Sequence, residues 1–115
     1  MIIRPAPTSD DEPDVTLTDS AAFEVLLPAI GNPTIHFVGC IERTGVCRVS
    51  SNLRVFDARN RFGVTASGRV YRLSGLHGLR SEAAAVWAMW QCVWDGTVLR
   101  DLSCTTMDRL ISSLH

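Results

Sequence analysis

Short β-rich runs separated by turn-forming residues occupy residues 35–73, and they limit the fold more than any other feature of this chain. The runs are rich in Val, Ile, Leu, Phe and Tyr, which suit a pleated, half-buried surface. Gly, Asn, Asp and Ser lie between them, and these residues favour tight turns. The pattern predicts strands that pair in sequence order, as an antiparallel meander.

The first hairpin of this meander joins residues 35–41 to residues 46–50. Between them lie Glu42-Arg43-Thr44-Gly45, a four-residue loop that ends in glycine, as such loops often do. A loop of this length sets Cys40 opposite Cys47 and Val38 opposite Val49. The register of the first hairpin is therefore predicted residue by residue.

The second hairpin spans residues 61–73, and its register depends on the length of its loop. A two-residue or four-residue loop places four apolar side chains on one buried face: Phe62, Val64, Tyr71 and Leu73. Arg61 and Arg72 then point away from that face. A three-residue loop would split the apolar set and place Arg72 beside Phe62, so we predict the even loop.

A helix is predicted from Glu82 to about Trp94, with Ser81 as its N-cap and Gly96 just beyond its end. Most of its circumference is apolar, which predicts a central helix covered on more than one side, with Val86 and Trp90 largely inaccessible. Trp87, Trp90 and Trp94 form one stripe, which we interpret as core. An alternative role for the stripe is an interface with a second copy of the chain or with a partner.

A second amphipathic helix is predicted from Thr105 onward, because four apolar residues recur at helical spacing: Met107, Leu110, Ile111 and Leu114. The predicted fold class is therefore α+β. Four to five strands form the antiparallel meander, and two C-terminal helices pack on one face of the sheet.

Residues 1–19 are predicted to be an acidic flexible tail, and residues 20–115 a single α+β domain. Residues 20–28 suit either a helix or a strand. Residues 1–24 contain six acidic residues and one arginine, whereas residues 42–80 contain eight arginines and two acidic residues. We expect the tail to shield the arginine-rich region weakly, or both regions to meet a partner of matching charge.

Every basic residue is an arginine, and the planar guanidinium suits phosphate and carboxylate groups. The candidate anion-binding or partner-binding residues are therefore Arg48, Arg54, Arg61, Arg69, Arg72 and Arg80. His77 joins them, because the loop Gly75-Leu76-His77-Gly78 leads into the start of the predicted helix. Free backbone donors at a helix start attract anions.

Four cysteines occur, at positions 40, 47, 92 and 104, and we expect no export signal, because residues 1–7 lack a long apolar run. The prediction is a cytoplasmic protein with four reduced thiols, although Cys40 and Cys47 could form a cross-strand disulfide. No metal site is expected. His36 and Cys40, four residues apart on a strand, would be about 13 Å apart and could not bind one ion.

No catalytic group has a companion in the sequence, because His77 is the only credible acid or base. No cofactor motif and no membrane-spanning stretch of about 18 apolar residues is present, so no membrane partner is expected. We therefore expect a small non-enzymatic interaction module with a protein partner. One concrete version is a phage- or plasmid-type inhibitor of a nucleic-acid enzyme. The alternative is a nucleic-acid-binding protein that uses the arginine-rich sheet.

Overall fold

The computed structural model describes residues 12–103, which form seven strands and one helix. The elements are β1 (Asp14–Leu26), β2 (Pro33–Ile41), β3 (Cys47–Val49), β4 (Leu53–Asp57), β5 (Phe62–Thr65), β6 (Val70–Leu73), α1 (Ser81–Trp94) and β7 (Thr97–Asp101). No helix in this part of the chain is both long and apolar enough to cross a membrane.

All seven strands belong to one mixed sheet with the order β3-β2-β1-β6-β5-β4. Strand β1 is central. It pairs with β2 along one edge, and its other edge pairs in parallel with β6 and, further along, antiparallel with β7. The predicted fold class was wrong, because this is a mostly-sheet domain with one short helix. A parallel pair and a seventh strand replace the pure meander.

A bulge in β1 explains why this segment showed no clear pattern in the sequence. Asp19 and Ser20 lie opposite the single residue Gly39, and Asp19 has a positive φ of 47°. One extra residue reverses which side chains face each side of the sheet. Residues 20–26 are thus strand rather than helix, and residues 14–19 of the predicted acidic tail belong to the same strand. Residues 1–11 lie outside the described residues.

The bulge allows β1 to contribute to two hydrophobic cores. Before it, Val15 and Leu17 face one side of the sheet, where the ring centroids of Phe37 and Tyr71 lie 6.5 Å apart. Beyond it, Phe23 and Val25 face the other side, where α1 covers the sheet. This second core also contains Leu27, Val38, Cys40, Ala83 and Trp87. The helix therefore packs on β2 and β3, away from the β4–β5 hairpin.

The register predicted for the first hairpin is confirmed. Cys40 pairs with Cys47 and Val38 with Val49, and the Ile41 amide donates to the Val46 carbonyl at 2.8 Å. Cys40 and Cys47 form a disulfide, so the prediction of four reduced thiols was wrong for this pair. Directly opposed strand residues bring two sulfur atoms within bonding reach. Cys92 is a free, exposed thiol, and Cys104 lies outside the described residues.

The register predicted for the second hairpin was wrong. Phe62 pairs with Arg72 and Val64 with Val70, so the loop has the three residues 66–68. Gly68 has a φ of 93°, which three-residue hairpin loops require at their last position. The buried face carries Gly63, Thr65, Tyr71 and Leu73, and the alternate side chains of both strands point the other way.

Gly63 explains the choice of face in this hairpin. A β-carbon at this position would lie 2.8 Å from Cε2 of Phe37, so only glycine leaves room for the Phe37 ring against β5. Arg72 projects outward beside Phe62, which is half-buried. The hairpin therefore has a less apolar outer face, and the Phe37 and Tyr71 rings pack on its inner face.

The limits predicted for helix α1 are confirmed within one residue. The prediction that α1 is a central helix covered on more than one side was wrong. Only Ala83 and Trp87 are buried, whereas Val86 and Trp90 are half-buried. Trp94 is 47% exposed, so the tryptophan stripe is core at one end and surface at the other. The chain continues into β7. The second helix predicted from Thr105 lies outside the described residues.

His36 is a buried polar residue with a structural role. Its Nδ1 lies 2.8 Å from the Ser50 carbonyl oxygen, which can only accept, so this nitrogen carries the hydrogen. Its Nε2 then accepts from the Thr34 hydroxyl at 2.7 Å, and the ring packs against Trp90. Burial lowers the pKa of His36, although its hydrogen bond to Ser50 opposes this. The residue therefore stays neutral and fully bonded.

Candidate functional site

Most of the arginines predicted to bind a partner are held by carboxylates from the beginning of the described chain. Arg48 and Arg69 contact Glu12, Arg72 contacts Asp14, and Arg80 contacts Asp19. The acidic residues of strand β1 and its approach therefore neutralise the basic residues of the middle segment. These carboxylates lie on strand β1 or just before it.

Glu12 is the most buried of these contacts. Its Oε1 accepts from Nη1 of Arg48 at 2.6 Å, and its backbone carbonyl accepts from Nε of Arg69 at 2.8 Å. The two arginine side chains are only 13% and 9% exposed. Burial alone would lower the pKa of Arg48, but hydrogen bonds to Tyr71 and Glu12 outweigh burial and raise the pKa. Neither guanidinium is presented to a partner.

The other two pairs lie at the surface. Arg72 Nε is 3.2 Å from Asp14, and Arg80 Nε is 2.7 Å from Asp19. Exposed pairs of this kind contribute little to stability and exchange readily with solvent. They nevertheless lower the local positive charge that phosphate would require.

Arg61 and Arg54 complete the predicted set of arginines. Arg61 donates to the Gly75 carbonyl oxygen at 2.9 Å, which ties the β5 strand to the glycine loop. Arg54 is the extra residue of a bulge in β4, where Leu53 pairs with Thr65 and Val55 with Val64. Its side chain is exposed and has no bond to another described residue. A charged bulge of this kind discourages edge strands from pairing with other chains.

The loop before α1, which was predicted to bind an anion, does not present Arg80 to an anion. Gly75 and Gly78 have the positive φ values of a tight loop, and the Gly78 amide donates to the Ser20 carbonyl at 3.0 Å. His77 is half-buried and forms a backbone bridge with Ser20. Because Arg80 turns toward Asp19, the loop joins the strand to the helix and does not present an arginine to an anion.

An open cleft of about 630 Å³ lies between the beginning of β1 and the β2–β3 turn. Glu12, Asp14, Glu42 and Arg43 are among its walls. Two of these carboxylates already pair with arginines, and the described lining includes no His, Cys or Ser.

The most distinctive surface is apolar and was not predicted. Six large apolar side chains are exposed at one end of the molecule, and we call this set the apolar corner: Leu26, Ile30, Val93, Trp94, Val98 and Leu99. They account for six of the nine exposed large apolar residues of the described chain. The other three, Val46, Val55 and Leu76, lie on separate elements.

Three chain connections bring the apolar corner together. Leu26 pairs with Thr97, which places the end of β1 beside the beginning of β7. Gly96 lies so close to Leu27 that a β-carbon there would be 3.0 Å from Cδ2 of that leucine. Ile30 belongs to the turn after β1, where its amide donates to the Leu27 carbonyl at 3.0 Å. The end of α1, the turn after β1 and the beginning of β7 thus lie at one end of the molecule, with Leu26 on one face of the sheet and Val98 on the other.

Strand β7 adds an unusual feature to the apolar corner. All five of its residues are exposed, and Leu99 is the extra residue of a bulge between the pairs Val25–Val98 and Glu24–Arg100. At the equivalent position in β4 the bulge projects an arginine, whereas here it projects a leucine. Edge strands normally carry charge at such positions. Leu99 is instead 44% exposed at this bulge.

Carboxylates border the apolar corner. Asp95 caps the end of α1 in the left-handed conformation and has no ion pair with a described residue. Asp101 ends β7 and accepts from the Ser103 amide at 2.9 Å. Arg100, which precedes Asp101 in the chain, is bound by Glu24 through two hydrogen bonds. The border of the apolar corner is therefore acidic.

Comparison with family models, characterised proteins and solved structures found no match to this chain.

Sequence reasoning missed the apolar corner because it assigned apolar residues to the core. The run Thr97-Val98-Leu99 is a strand signal that was overlooked after the helix end at Gly96. Exposure of Trp94 depends on how far α1 extends beyond the sheet, which periodicity along the helix does not reveal.

Proposed function

We propose that this chain is a small non-enzymatic interaction module that binds a protein partner through its apolar corner. The observation that carries the proposal is the concentration of exposed apolar side chains on β7 and the end of α1. Contiguous apolar patches on small domains mark interaction sites. Trp94 supports the proposal further, because a half-exposed tryptophan within such a patch is typical of binding hot spots.

Pairing of the arginines argues against the alternative, direct binding to nucleic acid through the sheet. Nonspecific affinity for DNA or RNA rises with the number of phosphates that cations neutralise. Five of the six predicted arginines are bonded to other described residues, which leaves Arg54 as the exposed exception. A nucleic-acid enzyme as the protein partner remains one concrete form of the proposal, supported by the small size and uneven charge of the chain.

The proposal can be tested with a pair of variants in the full-length chain. Leu99→Ser removes apolar contact at the corner, and Leu76→Ser is the matched control, because Leu76 is 86% exposed on a separate loop. Proteins captured from the host should be lost with Leu99→Ser and retained with Leu76→Ser. Equal capture by both variants, or capture of nucleic acid alone that weakens steeply with salt, would contradict the proposal.

A further inference from the structure

We infer that the partner of the apolar corner is a basic amphipathic segment, one that presents apolar anchors flanked by Lys or Arg. The inference rests on the proposed function and adds the chemistry of the partner. It begins with the two carboxylates at the border of the corner, Asp95 and Asp101, which have no cationic partner among the described residues.

The carboxylates on β1 and just before it differ from Asp95 and Asp101 in their ion pairing. Each of the four acidic residues from Glu12 to Glu24 contacts an arginine of the same chain. Asp95 and Asp101 do not, and neither do Glu42, Asp57 and Glu82. What distinguishes Asp95 and Asp101 is their position, since Asp95 follows the exposed Trp94 and Asp101 lies on the same exposed strand as Val98 and Leu99. Because Glu24 occupies both Nε and Nη2 of Arg100 at 2.9 Å, the border keeps its negative charge.

A second copy of the chain fits this surface poorly. In a symmetric dimer the same patch faces itself, so both copies would bring Asp95 and Asp101 into one interface. Like charges in an interface disfavour association. A partner with basic residues around its apolar anchors would instead complement the border and exclude neutral or acidic competitors.

The test is selection of random peptides on the immobilised full-length chain, followed by affinity measurement with variants. Trp94→Ala and Leu99→Ser probe the apolar anchor, with Leu76→Ser as their control. Asp95→Asn and Asp101→Asn probe the border. Asparagine tolerates the left-handed conformation of Asp95 and keeps the oxygen that accepts from Ser103. Glu82→Gln is the matched charge control, since Glu82 lies at the opposite end of the same helix.

We expect the selected peptides to combine aromatic or aliphatic residues with Lys or Arg. Trp94→Ala should weaken their binding about thirtyfold, as loss of a hot-spot residue does. Each border variant should weaken it about two- to fivefold at low salt, and high salt should remove this difference. Glu82→Gln and Leu76→Ser should leave the affinity unchanged.

Two kinds of failure are distinguishable. Peptides that require Trp94 but lack basic residues, or that bind both border variants normally, would overturn the inference and leave the proposed function standing. Peptides that bind equally to wild type, Trp94→Ala and Leu99→Ser would overturn both. Sedimentation that shows a dimer, lost in Leu99→Ser, would identify a second copy as the occupant and also contradict the inference.

Discussion

Arg100 and Glu24 form a two-bond ion pair across strands β7 and β1. Nε and Nη2 of the arginine each lie 2.9 Å from a carboxylate oxygen, and the two residues are direct register partners. The pair joins the edge strand to the centre of the sheet, and it also removes the positive charge that would otherwise protect an exposed edge. This one ion pair therefore anchors β7 and leaves its exposed edge without a free positive charge.

Arg100→Ala should loosen β7 selectively, because it removes the bidentate contact that joins β7 to its neighbour β1. Amide hydrogen exchange in residues 97–101 should become faster, while exchange in β5 and β6 should stay unchanged. Arg72→Ala, which removes an exposed single-bond pair with Asp14, is the control and should leave β7 unaffected. Unchanged exchange in β7 after Arg100→Ala would show that the backbone pairing alone holds this strand.

Glu12→Gln should destabilise the fold by about 2 kcal/mol, because it leaves two largely buried guanidinium groups without their carboxylate. Asp14→Asn is the matched control and should cost less than about 1 kcal/mol, since its pair with Arg72 is exposed. Urea denaturation of both variants measures the difference. Equal costs would mean that burial of Arg48 and Arg69 does not depend on the charge of Glu12.

Stability should fall in acid because of His36, whose pKa is lowered by burial. The unfolded chain binds a proton near pH 6.5, whereas the folded chain resists it. The contribution of the neutral ring is therefore complete above about pH 6.5 and is lost progressively as the pH falls toward the lower pKa of the folded state. Melting temperatures from pH 8 to pH 5 should show this decline. His36→Gln should be less stable at pH 8 and show a smaller decline; an equal decline would assign it to other groups.

Cys40 and Cys47 should resist alkylation in the unfolded chain until a reductant is added, whereas Cys92 should react even in the native protein. Reduction should lower stability by about 2 kcal/mol, since the disulfide closes a short loop. Mass spectrometry of the digested protein checks the first statement and denaturation with and without reductant checks the second. Labelling of Cys40 and Cys47 without reductant would contradict the disulfide.

The two hairpins show which parts of the fold could be predicted from sequence. The Cys40–Cys47 register follows from loop length alone, because the four-residue loop has one plausible pairing. The 61–73 hairpin allowed several loops, and apolar alternation favoured the wrong one. What decided it was contact between Gly63 and the Phe37 ring, from a strand more than twenty residues earlier. Local patterns do not contain contacts of this kind.

The candidate site was harder to predict than the fold. The excess of arginine in the middle segment was interpreted as a charge division, but Asp14 and Asp19 were assigned to a tail although they belong to strand β1, and Glu12 lies just before that strand. All three carboxylates contact arginines of the same chain. Trp94 was likewise assigned to the core with Trp87, although the two rings differ widely in exposure. Exposure depends on where the helix leaves the sheet.

The bulge at Asp19 and Ser20 has a consequence for the order in which the molecule assembles. Strand β1 is synthesised first, yet its partners on one edge are β6 and β7, and Phe23 meets Asp101 only when β7 is complete. Contacts so distant along the chain slow folding, because a long loop must close before they contribute. The core that contains Val15 and Leu17 also includes Tyr71, Leu73 and Leu102, so this core is subject to the delay. A nascent chain would thus carry an apolar strand with one edge unsatisfied, a state in which aggregation competes with folding.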